Sequence, residues 1–348
     1  MLITAAAALL AVVAMTGVAV DMGRMYIAKN EAQAYVDSAA LAAVLELDGT
    51  GNGLQRARND VAANLNKWNL GNSSFSGTTT EFSLTSIGPW SVTPVTPVGV
   101  RFVRVTTGVN VPLNFVRVVT THTKSFVRAE AVAGQELRFS LDEGLCPFSP
   151  YAHDPNSPPH FGLSPGEVYT LRWASNINSQ GNVNHFLCPG DRTSAIRALV
   201  QSGNADDRGY IEDTSAFVIR QAIVYDLQTY NHSIGDSVVM TGGVKQTQQD
   251  ALIERVLQDT DTNANNFTSY LGGNNGNGRR MIACPVNAGP PTYTIVSFAL
   301  FFLQREQDYQ NANSANKPFC AEYVGPYVKG SNHPGTGPPG YYVGRLYQ

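Results

Sequence analysis

The first twenty residues contain no charged side chain, and charge is sparse throughout. Asp, Glu, Lys and Arg make up 15% of the chain, against about 25% in an ordinary soluble domain. A net charge of −3 leaves no global basic field for nucleic acid. Catalytic and metal motifs are also missing: there is no CxxC, no HExxH and no Asp-x-Ser-x-Ser. The loop Gly272-Gly-Asn-Asn-Gly-Asn-Gly278 lacks the Gly-Lys-Ser/Thr that a phosphate-cradling loop requires. The string Gly162-Leu-Ser164-Pro-Gly166 matches a nucleophile elbow in letters only. Pro165 has no N–H to give an oxyanion hole, and a strand, not a helix, is expected after it. Asp259-Thr-Asp261-Thr-Asn263 begins like a calcium loop but has Ala264 at the sixth position and Tyr270 at the twelfth. Asp48-Gly-Thr-Gly-Asn52-Gly53 has the sixth-position glycine but reaches Asn59 where Glu is needed. His185 and Cys188, with His153 and His160 nearby, form no metal-ligand spacing. No enzyme activity, cofactor, metal or small-molecule substrate is expected.

What is present starts with MLITAAAALLAVVAMTGVAV, interrupted only by Thr4, Thr16 and Gly17. At about 1.5 Å per residue it spans roughly 30 Å, the thickness of a bilayer's hydrocarbon core. A transmembrane helix satisfies its own backbone there. A cleaved signal would have a basic start and a cleavage site, and neither is apparent. Residues 21–47 hold no proline and many strong helix formers. Met25, Ala28, Ala32, Tyr35, Ala39 and Ala43 recur at three- and four-residue steps and line one face. The helix is expected to leave the membrane unbroken and stop near Asp48-Gly49. Its alanine face either packs on the body of the chain, the favoured reading, or meets a neighbouring subunit.

The residues that follow one another here resemble a known family. Gly17-Val-Ala-Val-Asp21-Met-Gly23-Arg24-Met-Tyr26, then Gln33-Ala34, then Asp37-Ser-Ala-Ala-Leu-Ala-Ala43 is similar to the N-terminal segment of TadE/TadG-like proteins of the Tad (Flp, tight-adherence) pilus. Ser38 stands where Ala is common. The likeness covers about the first 47 residues. It implies a single-pass inner-membrane protein of pilin-like build, with its body in the periplasm or at the cell surface, and other pilus-apparatus subunits as partners. No Gly followed by Glu-Phe heads the span, so processing like that of a major pilin is not expected. A membrane-tethered adhesin or ligand-binding envelope protein unrelated to pili is the alternative.

The fold class expected is α+β. A transmembrane anchor (1–20) precedes a helical stalk with a pilin-like antiparallel sheet (21–140), a Pro-rich linker (141–166) and a β-rich C-terminal domain (167–348). In the first part, a second helix is expected at 53–70 and strands at 81–87, 98–107, 109–115 and 125–137. Val127, Ala129, Ala131 and Ala133 alternate with Arg128 and Glu130 as a half-buried strand requires. Beyond the linker, strands are expected at 167–174, 279–286, 293–303, 319–328 and 341–346, and helices at 193–201, 214–229 and 246–258. Ile295 to Leu303 is too short to cross a membrane and reads as a central buried strand. Four cysteines outside the anchor, Cys146, Cys188, Cys284 and Cys320, predict two disulfides in an exported body. Cys146–Cys188 and Cys284–Cys320 are favoured, each closing a loop of about 40 residues. Arg101, Arg104, Arg117, Lys124 and Arg128 lie in a locally basic stretch. They read as a solvated strand face, or as a docking patch for anionic lipid, surface polymer or an acidic partner.

The full-length chain is therefore expected to sediment with membranes and resist alkaline extraction while keeping its N-terminal segment. Recovery of a soluble mature chain starting after Val20 would overturn the anchor.

Overall fold

One helix, α1 (Leu2–Leu45), runs without a break through the uncharged segment and the alanine-rich segment after it. Its 44 residues extend roughly 66 Å at about 1.5 Å each, twice the hydrocarbon thickness of a bilayer. It is long and apolar enough to cross a membrane. The computed structural model describes residues 2–64, 66–69, 71, 73–118, 121–173, 186–202, 208–211, 215–241, 246–273, 276–310, 317–335 and 340–347. The fold is α+β, and the chain divides into two units: Met1–Glu136 with Gly344–Gln348, and Leu137–Val343.

In the first unit, α1 turns into α2 (Gly51–Ala63) at a tight polar corner. Thr50 caps α2 by accepting from the Gly53 N–H at 3.0 Å. Asp48 accepts from the Thr50 N–H and hydroxyl, and Arg56 bridges Glu46 at 2.8 Å and Asp48 at 2.7 Å. Gly53 is needed here, because a Cβ would lie 2.2 Å from the Asp48 carboxylate. Burial raises the Asp48 pKa, but the hydrogen bonds from Thr50 and Arg56 outweigh it and hold the carboxyl below its usual range. Strands β1 (Ser76–Ser83), β2 (Phe102–Pro112) and β3 (Lys124–Arg138) form an antiparallel meander. The two strands expected at 98–107 and 109–115 are one. Gly108 does not break the ladder, because the Phe126 ring of β3 covers it from the neighbouring strand. The last strand of the chain ends in this unit, where Tyr347 meets Phe102 edge-on at 5.3 Å and Arg345 pairs with Glu136 at 3.1 Å.

In the second unit, two-residue strands β4 (Ser140–Leu141) and β6 (His232–Ser233) pair with each other. The main sheet is antiparallel, in the order β5 (Val168–Arg172), β9 (Phe319–Pro326), β8 (Ile295–Leu303), β7 (Met281–Asn287). The β8 strand is internal and almost wholly buried, as its apolar run, broken only by Ser297, requires. Helices α3 (Ser194–Ser202), α4 (Ala216–Tyr225) and α5 (Gln246–Leu257) were legible, but α6 (Phe267–Gly273) and α7 (Glu306–Gln310) were not. Strand β10 (Val328–Lys329) pairs in parallel with the start of β11 (Tyr341–Tyr347).

Two expectations are corrected. The Pro-rich stretch 141–166, expected to be a linker, lies inside the second unit. The prolines rule out a helix or central strand, but Phe148, Tyr151, Phe161 and Leu163 between them are buried. Its backbone is tied to the strands around it, Cys146 N–H to Ala283 O at 2.8 Å and Ala152 N–H to Asn287 O at 2.7 Å. The cysteine pairing also differs: Cys188 is bonded to Cys320, and Cys146 and Cys284 are free and buried. The reason is sheet register. Thr170 of β5 lies opposite Cys320 of β9, and its hydroxyl accepts from the Cys188 N–H at 2.9 Å, so Cys188 is held beside Cys320. Cys146 is held instead beside β7. There, burial and a hydrogen bond to the Cys146 thiol push the Cys284 thiol well up.

Non-reducing peptide mapping is expected to recover Cys188 linked to Cys320. With a sequence separation of 132, replacing both by Ala should cost about 2–5 kcal/mol of stability, read by chemical denaturation. A Cys146–Cys188 peptide would refute this topology.

Candidate functional site

Where the chain carries a recognisable motif, its residues fasten α1 to the β2–β3 hairpin. Asp21, one residue past the uncharged run, is 1% exposed. Its carboxylate accepts three backbone N–H groups from the hairpin turn: Asn114 at 3.0 Å, Phe115 at 2.8 Å and Val116 at 2.8 Å. Three converging N–H donors at a turn form a seat for an anion, and charge-assisted bonds of this kind are about twice as strong as neutral ones. One turn earlier, Gly17 makes room for Phe115. A Cβ there would lie 2.5 Å from the Cβ of Phe115.

The fastening continues up the helix. Lys29 donates to Arg128 O at 2.7 Å. Gln33 donates to Glu130 O at 2.9 Å and to Asp37 at 2.8 Å. At the far end, the buried Gln135 amide donates to Val44 O at 2.9 Å and Leu47 O at 2.7 Å, satisfying carbonyls that a helix C-terminus leaves open. Between these ties Ala28, Ala32, Ala39 and Ala43 are fully buried, with Tyr35 5% exposed and Met25 packed at the edge. Tyr35 donates to Val61 O at 3.2 Å and stacks on Phe75 at 6.0 Å. The alanine face is thus occupied within the chain by the sheet and α2. Alanine allows a helix backbone to lie close to a strand.

The basic residues are not gathered into one site. Arg104 pairs with Glu81 at 2.7 Å and lies over Trp90 at 4.9 Å. Arg128 pairs with Glu130 at 3.0 Å, and Arg101 is also engaged. Arg117 and Lys124 flank the hairpin turn, exposed, and make no ion pair among the described residues.

The remaining polar groups singled out from the sequence serve structure. His153 bonds Asp191 at 2.7 Å, His160 bonds Tyr323 at 3.0 Å, and His185 lies outside the described residues. Gly162 and Gly166 take positive φ in the turns before β5. Asp259 accepts from the Tyr270 hydroxyl and the N–H groups of Asp261, Asn277 and Arg280. Burial and the Asp259 hydrogen bond raise the Tyr270 pKa. Arg280, fully buried, spends its guanidinium on the carbonyls of Leu303, Asp261 and Ala264. Sequence reasoning missed this network, since nothing local marks Arg280 as buried.

Residues 1–50 match the family model described as "Putative Flp pilus-assembly TadE/G-like". Comparisons with curated proteins and with solved structures return no match.

Replacing Asp21 by Asn removes the charge and puts an amide N–H₂ in place of one accepting oxygen, so at least one of the three N–H donors loses its acceptor. We expect a lower melting temperature and new protease cleavage in the hairpin turn, with membrane fractionation unchanged. An Asp21→Asn protein as stable and protease-resistant as the parent would remove the clamp from the fold.

Proposed function

We propose that this protein is a membrane-anchored, pilin-like structural component of a Tad/Flp-type pilus or tight-adherence apparatus. In this reading α1 crosses the inner membrane once and the body lies on the periplasmic side or at the cell surface. The match over residues 1–50 supports it, as does a helix long enough both to span a bilayer and to serve as a stalk.

One observation carries the reading further. Most motif residues have a task inside the chain, as Gly17, Asp21 and Gln33 do. Gly23 and Tyr26 do not. A Cβ at Gly23 would meet nothing within 4 Å, and Tyr26 is 68% exposed. Both lie on one helical strip with Met22 and Ile27, which are also exposed. A small residue beside an exposed aromatic on an apolar strip is suited to close approach of a second helix. The assembly contact of this proposal is that strip, not the alanine face, which the fold already uses.

Deleting the gene should abolish surface pili, and the wild-type copy should restore them. Gly23→Leu or Tyr26→Ala should leave protein level and membrane fractionation intact while reducing piliation. Ala32→Leu and Ala39→Leu should act differently, losing about 1–3 kcal/mol by overpacking and depleting the protein itself. Normal piliation in the deletion strain would overturn the assignment.

A further inference from the structure

We propose that the turn of the β2–β3 hairpin is a second membrane contact, a lipid-binding tip that docks on anionic phospholipid headgroups beside the point where α1 leaves the bilayer. The inference rests on the membrane-spanning reading of α1 and adds a site to it.

The geometry comes from the clamp. Phe115 sits against Gly17, and Gly17 lies inside the uncharged run. Gly17 is four residues short of Asp21, about 6 Å along the axis. If the run occupies the hydrocarbon core, the Phe115 ring is at the edge of that core, and the turn cannot be held clear of the membrane. The heights of the rest of the tip follow from the rise per residue. Lys29, eight residues beyond Asp21 and so about 12 Å higher, is bonded to Arg128 O. Lys124 precedes Arg128 by four residues of extended strand, about 13 Å. That returns Lys124 to the level of Asp21, with Phe126 roughly midway, in the headgroup layer.

The side chains at those heights have the chemistry of an interface. Phe115 and Phe126 are 45% and 62% exposed, large apolar surfaces that water does not favour. Arg117 and Lys124 are exposed and form no ion pair among the described residues. Residues 113–127 contain no Asp or Glu, and the one carboxylate seated on the turn, Asp21, is buried and already bound by three N–H groups. Basic side chains are drawn to such a surface, and Phe rings bury at the boundary between tails and headgroups. The two basic groups differ in this from Arg104 and Arg128, which are neutralised within the chain.

The test uses the full-length protein in phospholipid vesicles, with tryptophan placed as a depth probe and the wild-type emission subtracted. Phe115→Trp and Phe126→Trp should both shift to the blue and be quenched by lipids brominated near the glycerol end of their chains. Quenching should be stronger in vesicles containing phosphatidylglycerol than in phosphatidylcholine alone. Adding Arg117→Gln and Lys124→Gln should erase that difference. Met15→Trp, on the exposed surface of the span, reports on the anchor itself. If Met15→Trp is quenched by lipid while both tip probes are quenched only by aqueous acrylamide, the tip proposal fails and the anchor stands. If Met15→Trp sees no lipid, the anchor reading fails and the tip with it. Phe126 is an exposed strand residue, so its variant keeps the test open should Phe115→Trp disturb the clamp.

Discussion

A single carboxylate facing three backbone N–H groups sets the geometry of the N-terminal unit. The apolar face of a 44-residue helix draws a sheet onto it but carries no register mark along its axis. Asp21 supplies one at the point where the helix becomes polar, by binding a turn that regular pairing would leave with open donors. Once the turn is fixed, β2 and β3 run alongside the helix in one register. The alanine face then meets the sheet, and Gln135 reaches the other end of the helix to cap it. Loss of the carboxylate would leave the intermediate contacts, but not the turn that aligns them.

Much of this was legible in the sequence, for physical reasons that can be named. The uncharged run and the three- and four-residue recurrence of alanine announce α1 and its buried face. The alternation around Val127–Ala133 announces β3, and the long apolar run of β8 its place between two neighbours. What was not legible depended on distance along the chain. Asp21 bonds residues more than ninety positions away, and nothing in its neighbourhood says so. Cysteine pairing followed the register of β5 on β9, whereas loop length favoured nearer partners. Proline density in 141–166 excluded a helix or central strand, but burial was decided by the aromatic and aliphatic residues between the prolines.

The division of labour in α1 bears on how its motif is read. Gly17, Asp21 and Gln33 act inside the chain, so a large part of the motif describes how the helix is joined to its own sheet. The remainder, Gly23 and Tyr26, is left facing outward. A motif can thus serve two ends at once, and substitutions within it need not share a phenotype.

The last residues of the chain, from Gly344 onward, belong to the unit that also holds the first 136. The second unit is therefore an insertion between two pieces of the first. During synthesis, β1, β2 and β3 are made long before Gly344–Gln348, so the Tyr347–Phe102 and Arg345–Glu136 contacts form only after the whole second unit has been made. Completion of the first unit is thereby tied to synthesis of the second. A chain cut within the second unit would carry an unfinished sheet in the first, a distinction that proteases can act on.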